Sequence, residues 1–228
     1  MESNKTLVTI NDRNSFLSES YRVCRANINY MNVDNHHMVL MLTSSVLSEG
    51  KTTTSCNLAI TIAQSDKKVL LIDGDLRKPK VHNLFNINMT PGLTDVIYEK
   101  LSLSDVIQHI EGVPTLDILV AGKTTPNPAE LLGSASFKNF LEEAKNLYST
   151  IIIDTLPVLN VADTVILSQL VDGVLFVVAA KETNKELVKN AKKALEKVGA
   201  NIMGVILTKM KRNNEKYYYY SDNKSAKK

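Results

Sequence analysis

The chain has 228 residues, 44% of them hydrophobic and 22% charged, which is ordinary for a globular protein and enough for one sizeable α/β domain, two at most. Nothing approaches the roughly 18 consecutive apolar residues of a membrane span, and no signal-peptide pattern opens the chain, so a cytoplasmic location is expected. The net charge of +3 is uneven: residues 211–228 hold six basic residues against two acids, a local +4 that leaves the rest near −1.

Residues 1–14 read as irregular and Ser15–Met31 as a helix. Glu19, Arg22 and Arg25 recur on it at spacing three and share a face; from the residues alone this is a solvated stripe with weak internal pairing. Met38–Leu42 is a buried strand. It runs into Ser45-Val46-Leu47-Ser48-Glu49-Gly50-Lys51-Thr52-Thr53, and a helical pattern follows to Gln64. A strand feeding a helix through a loop that ends Gly-Lys-Thr points amides and the positive helix terminus at an anion. On this pattern Ser48 to Thr53 bind nucleotide phosphates, Lys51 reaches the β- and γ-phosphates and Thr52 ligates Mg²⁺. Ser45 stands where the usual pattern opens with Gly, and it is small enough for the close approach.

Two apolar runs end in carboxylates: Lys68–Ile72, followed by Asp73-Gly74-Asp75, and Thr150–Ile153, followed by Asp154. Continuous Val/Ile/Leu runs suit central strands of a parallel sheet, and carboxylates at strand ends lie where open α/β sheets bind ligands. Alone, each Asp could equally start a turn or helix. Beside a phosphate loop they become candidates for metal and proton chemistry.

Arg77-Lys78-Pro79-Lys80 breaks structure; it is either a phosphate contact or a solvated basic turn. Short helices are expected at Thr94–Tyr98 and Ser104–His109, a strand at Leu116–Val120 and a helix over Ala129–Leu147. The remaining pattern gives a helix at Ala162–Leu170, a strand at Gly173–Ala180, a helix at Glu182–Val198 and a strand at Ile202–Leu207. Alternating strands and helices predict an α/β, P-loop NTPase-like fold, a mostly parallel central sheet with helices on both faces. The expected organisation is one domain, residues 1–210, and a basic, tyrosine-rich flexible tail, 211–228. Cys24 and Cys56 fall in helical patterns with no metal-ligand spacing and read as reduced packing residues. Asp95 and Asp105 read as surface or helix-start residues, and His36, His37, His82 and His109 show no catalytic spacing.

Half of the eight tyrosines form Tyr217-Tyr218-Tyr219-Tyr220. The alternatives are an edge strand with little to pack against and an exposed phosphoacceptor cluster, where each phosphate adds about −1.5 to −2 charge.

Taken together, the phosphate loop, Leu71-Ile72-Asp73-Gly74-Asp75-Leu76-Arg77-Lys78-Pro79, Ile152-Ile153-Asp154-Thr155-Leu156-Pro157-Val158 and the tyrosine cluster resemble the bacterial tyrosine kinases of capsule and exopolysaccharide synthesis, of the cytoplasmic type. The resemblance runs from about Glu19 to Tyr220. It implies an ATP-dependent protein-tyrosine kinase, with ATP/ADP and Mg²⁺, that phosphorylates Tyr217 to Tyr220 between subunits. Lys51, Asp73, Asp75 and Asp154 are then catalytic and Thr52, Asp73 and Asp154 hold the metal. Which of Asp73 and Asp75 takes the tyrosine proton is open. Glu19, Arg22 and Arg25 would close a homo-oligomeric ring. The implied partners are a separate membrane activator that recruits the kinase to the inner face of the membrane, a tyrosine phosphatase and protein substrates, with no nucleic acid. The alternative is a nucleotide-dependent assembly module of the polysaccharide machinery with weak or no kinase activity. Leu47-Ser48 replaces the family's usual Pro-Gly, and Leu156 replaces its first proline after Asp-Thr. Val46 stands where related positioning ATPases carry an additional lysine.

Overall fold

Seven strands form one sheet in the order β3-β4-β2-β5-β1-β6-β7. They are β1 (Met38–Ser44), β2 (Val69–Asp73), β3 (Gln108–Ile110), β4 (Val113–Leu119), β5 (Thr150–Asp154), β6 (Gly173–Ala179) and β7 (Ile202–Thr208). Every pairing is parallel except the β3–β4 edge. The computed structural model describes residues 6–31 and 37–210; the tyrosine cluster and His36 lie outside them.

The side chains of a strand alternate between faces, and the two cores show it. Val39 and Met41 of β1, Leu70 and Ile72 of β2, and Ile151 and Ile153 of β5 pack on one face. Leu40, Leu42, Val69, Leu71 and Ile152 pack on the other. The first face is covered by α5 (Leu93–Glu99), α7 (Pro128–Gly133), α8 (Ala135–Lys145), α9 (Ala162–Leu167) and α10 (Lys185–Lys197). The second is covered by α3 (Lys51–Ala63), with α4 (Val81–Phe85) beside it. Over α3 lies a further layer, α1 (Val8–Asn11) and α2 (Phe16–Met31). Lying between the sheet and that layer, α3 is buried on nearly every side, its polar Thr54, Ser55, Asn57 and Thr61 included.

Several boundaries differ from the sequence expectation. Residues expected to be irregular include α1, which Asn57 of α3 holds: its Oδ1 accepts from Thr9 N at 3.2 Å and its Nδ2 donates to Thr6 O at 3.0 Å. The single helix expected over Ala129–Leu147 breaks at Ser134, which is extended (ψ 155°) and caps α8 by accepting from Phe137 N. The helix expected over Ser104–His109 stops as α6 (Leu103–Val106), because Gln108 to Ile110 pair antiparallel with β4. α4 follows the Arg77–Lys80 break, where no helix is evident from the pattern. Asn184 caps α10 by accepting from Glu186 N, so that helix begins three residues later than expected. Asp95 starts α5 as expected, but it is buried rather than on the surface, accepting from Gly92 N at 2.8 Å.

Parallel pairing brings the C-terminal ends of β1, β2 and β5 together. Asp73 is the register partner of Asp154, and Asp154 that of Leu42. The loop after β1 therefore emerges beside both carboxylate-bearing strand ends.

Candidate active site

Residues 45–50 connect β1 to α3. Gly50 precedes the helix in a left-handed conformation (φ 87°) that suits glycine, and Ser48 adopts φ 64° without that freedom. Such a loop presents its amides as a concave nest; among the described residues those of Ser48, Glu49, Gly50 and Lys51 donate to no backbone carbonyl. Lys51 opens α3, and Thr52 and Thr53 lie partly exposed in its first turn. The Lys51 ammonium donates to Asp154 Oδ1 at 3.0 Å, with both side chains buried. Ser55, one turn along α3, donates to the same oxygen at 2.9 Å. Asp154 Oδ2 is buried without a hydrogen-bond partner among the described residues.

Asp73 is fully buried, and its Oδ2 accepts from Lys80 N and Val81 N at 3.0 Å each. It thus holds the start of α4, the turn-forming role a strand-end Asp takes by default. Burial, followed by the neighbouring Asp154 charge, pushes its carboxyl up to about 7. Asp75 is buried but keeps 8% of its surface exposed, accepts from Lys78 N at 2.9 Å and is also raised, chiefly by burial. Gly74 between them is a close approach: a Cβ there would stand 2.9 Å from Asp154 O.

This arrangement fits Mg²⁺ and a nucleotide. Among the described residues no three His, Cys, Asp or Glu side chains converge as metal ligands. Mg²⁺ asks for no more than one or two carboxylates beside phosphate oxygens and water. The orphaned Asp154 oxygen supplies an acceptor that such an ion would satisfy.

Arg77 is not free for a phosphate: it makes a two-pronged bond to buried Asp163 of α9, at 2.8 and 3.1 Å. On α2, Glu19 pairs with Arg22 at 2.6 Å, while Arg25 donates to Thr61 O of α3 at 2.7 Å. The stripe is thus partly intrahelical and partly a helix–helix tie. Leu156 is buried, and its carbonyl accepts from the Thr43 and Thr164 hydroxyls at 2.8 Å each. Cys24 and Cys56 are free thiols. Among the described residues no helix is long and apolar enough to cross a membrane.

Sequence reasoning missed Ser55, Asp163, and Thr183 and Thr208, whose hydroxyls donate to the Glu49 carboxylate and carbonyl in the loop. Ser55 was legible as the residue one helical turn beyond Lys51. The other three meet the site only through the fold.

Fold and site together define a P-loop nucleotide-binding protein with paired strand-end carboxylates. The AAA domain family matches residues 47–203. The tyrosine-protein kinase YwqD of Bacillus subtilis is 41% identical over 94% of this chain and 91% of its own. The putative tyrosine-protein kinase CapB of Staphylococcus aureus is 39% identical over 91% and 92%. The kinase domain of the Escherichia coli tyrosine kinase ETK superposes with a TM-score of 0.85 at 33% identity, covering 93% of this chain and 84% of that one. The chain belongs to the bacterial tyrosine-protein kinases.

Proposed function

We propose that this protein transfers the γ-phosphoryl group of ATP to tyrosine, first to Tyr217–Tyr220 of a neighbouring copy, and thereby regulates capsular or extracellular polysaccharide synthesis. The observation that carries this reading is the convergence of Lys51, Asp73, Asp75 and Asp154 at adjacent strand ends beside the phosphate loop. Residues 1–210 are the kinase unit and 211–228 carry the acceptors.

Phosphoryl transfer asks mainly for positioning and charge neutralisation. The amides of Ser48 to Thr53 and the Lys51 ammonium hold the phosphates; Lys51 must first exchange part of its bond to Asp154 for them. Thr52, Asp73 and Asp154 would hold Mg²⁺, which when bound neutralises charge on the phosphates. A tyrosine hydroxyl, with an ordinary pKa of ~10, needs an acceptor for its proton. Asp75 suits that role better than Asp73: it is raised and keeps a little exposure, whereas Asp73 commits Oδ2 to the Lys80 and Val81 amides and has only Oδ1 left for a metal.

The remaining proposals rest on the family resemblance: a ring closed through Glu19, Arg22 and Arg25, a separate membrane activator that recruits the kinase to the inner face of the membrane, and a tyrosine phosphatase that resets it. Incubating the purified protein with Mg-ATP, with and without the activator's cytoplasmic fragment, and probing for phosphotyrosine tests the activity. Phosphotyrosine that appears in wild type and is absent from Lys51→Met supports it. Nucleotide binding without any phosphotyrosine in either condition would favour the assembly module instead. Light scattering of the unmodified protein tests the ring, and a monomeric mass would reject it.

A further inference from the structure

Glu49 is the one acidic residue of the phosphate loop, and it is buried. Its carboxylate faces the protein: Oε2 accepts from Val46 N at 2.9 Å, while Oε1 accepts from Ala179 N at 3.3 Å and from the Thr183 hydroxyl. Its own carbonyl accepts from the Thr208 hydroxyl at 2.6 Å. That hydroxyl also lies 3.4 Å from Val178 O, but it has one proton, and the shorter contact takes it. The Thr208 side chain also closes over Gly50, where a Cβ would stand 3.5 Å from its Cβ, Cγ2 and Oγ1. Thr208 itself is fixed: it pairs with Ala179 at the end of β6, and its carbonyl accepts from Ala180 N at 2.9 Å.

Left-handed Ser48 and Gly50 flank Glu49. Ser48, without glycine's freedom, keeps that conformation only where its surroundings hold it, and Gly50 resists rotation of its flanking peptides least of all. A trans peptide sets its C=O and N–H on opposite edges. Anchoring the Glu49 carbonyl to Thr208 therefore turns the Gly50 N–H away from β7.

We propose that Thr208 is a positioning residue for phosphate binding: its hydroxyl fixes the Glu49–Gly50 peptide so that the Gly50 amide is preset for a phosphate oxygen. This rests on the reading of Ser48 to Thr53 as the phosphate site. No local sequence pattern points to Thr208, which lies 159 residues from its partner.

Thr208→Val keeps the branched shape and deletes the hydroxyl; Thr208→Ser keeps the hydroxyl. Affinity for a fluorescent ADP analogue should fall by about tenfold in Thr208→Val, the scale of one charge-assisted hydrogen bond. Thr208→Ser should stay within about threefold of wild type, and kcat at saturating ATP should change far less than KM in both. A merely structural role would lower the melting temperature and leave that KM-against-kcat split absent. Should Thr208→Val fail to fold, Thr208→Ala compared with Thr208→Ser reads the same hydroxyl. Wild-type affinity in the hydroxyl-deleted variant, or equal loss in Thr208→Ser, overturns the proposal when Lys51→Met has lost binding. Retained ADP binding in Lys51→Met would instead overturn the phosphate-site reading itself.

Discussion

The Lys51 ammonium and the Asp154 carboxylate form a buried ion pair at 3.0 Å that links the first turn of α3 to the end of β5. The pair joins the phosphate loop to the strand end with which Asp73 is in register. It also gives Lys51 a structural duty in the absence of nucleotide.

Lys51→Met should abolish phosphotyrosine formation and also destabilise the nucleotide-free protein by about 3–5 kcal/mol, because it strands a buried carboxylate. Lys51→Met with Asp154→Asn should regain most of that stability and none of the activity. Urea melts of wild type and both variants make the comparison; equal midpoints for the single and double variants would show that the pair carries no such coupling.

The carboxyl of Asp73, raised to about 7, makes the nucleotide-free fold sensitive to pH. Its folded value lies above the unfolded value of ~3.9. The folded state therefore binds the proton more tightly, and this contribution is complete below the unfolded pKa and lost as pH rises through about 7. Asp75, raised as well, acts in the same direction. His82, lowered by desolvation, acts against them. The melting temperature should fall from about pH 5.5 to 7.5, more steeply in His82→Gln. A flat or rising profile in that variant would contradict the buried-carboxylate account.

Gly74→Ala and Ser48→Gly should diverge. A Cβ at Gly74 would meet Asp154 O and Ile153 Cγ2, both at 2.9 Å. Forcing those strand ends apart should cost about 1–3 kcal/mol and cut kcat by displacing Asp73 and Asp75 from Asp154. Ser48→Gly relieves a left-handed residue, and the added freedom of the unfolded chain offsets about 0.4–1 kcal/mol of the gain. Its stability and rate should therefore stay near wild type. Thermal melts and steady-state rates of the two proteins decide the matter.

Arg77 and Asp163 should show asymmetric costs. Arg77→Ala leaves buried Asp163 without its two-pronged partner and should destabilise by about 1.5–3 kcal/mol. Asp163→Asn leaves Arg77, 43% exposed, able to turn to water and should cost less. The double variant should be more stable than Arg77→Ala alone, as a denaturation cycle would read.

Local chemistry in the sequence determined the elements that make the site. The loop ending Gly50-Lys51-Thr52 and the apolar strands running into Asp73 and Asp154 each follow from neighbours a few residues apart, where propensity, period and turn geometry act. The same locality explains the errors: Ser134 broke a helical pattern by capping α8, and Gln108 became a strand because β4 was there to pair with it. Only the tertiary structure decided which partners the site residues took. Arg77, legible as a phosphate ligand or a basic turn, is claimed by Asp163 across 86 residues, and Arg25 by Thr61 across 36. Glu49, inside the most recognisable motif of the chain, spends its carboxylate on Ala179 and Thr183 and its carbonyl on Thr208. Hydrogen bonds of that span depend on which strand ends the parallel sheet brings side by side, and neighbouring residues in the chain carry no trace of them.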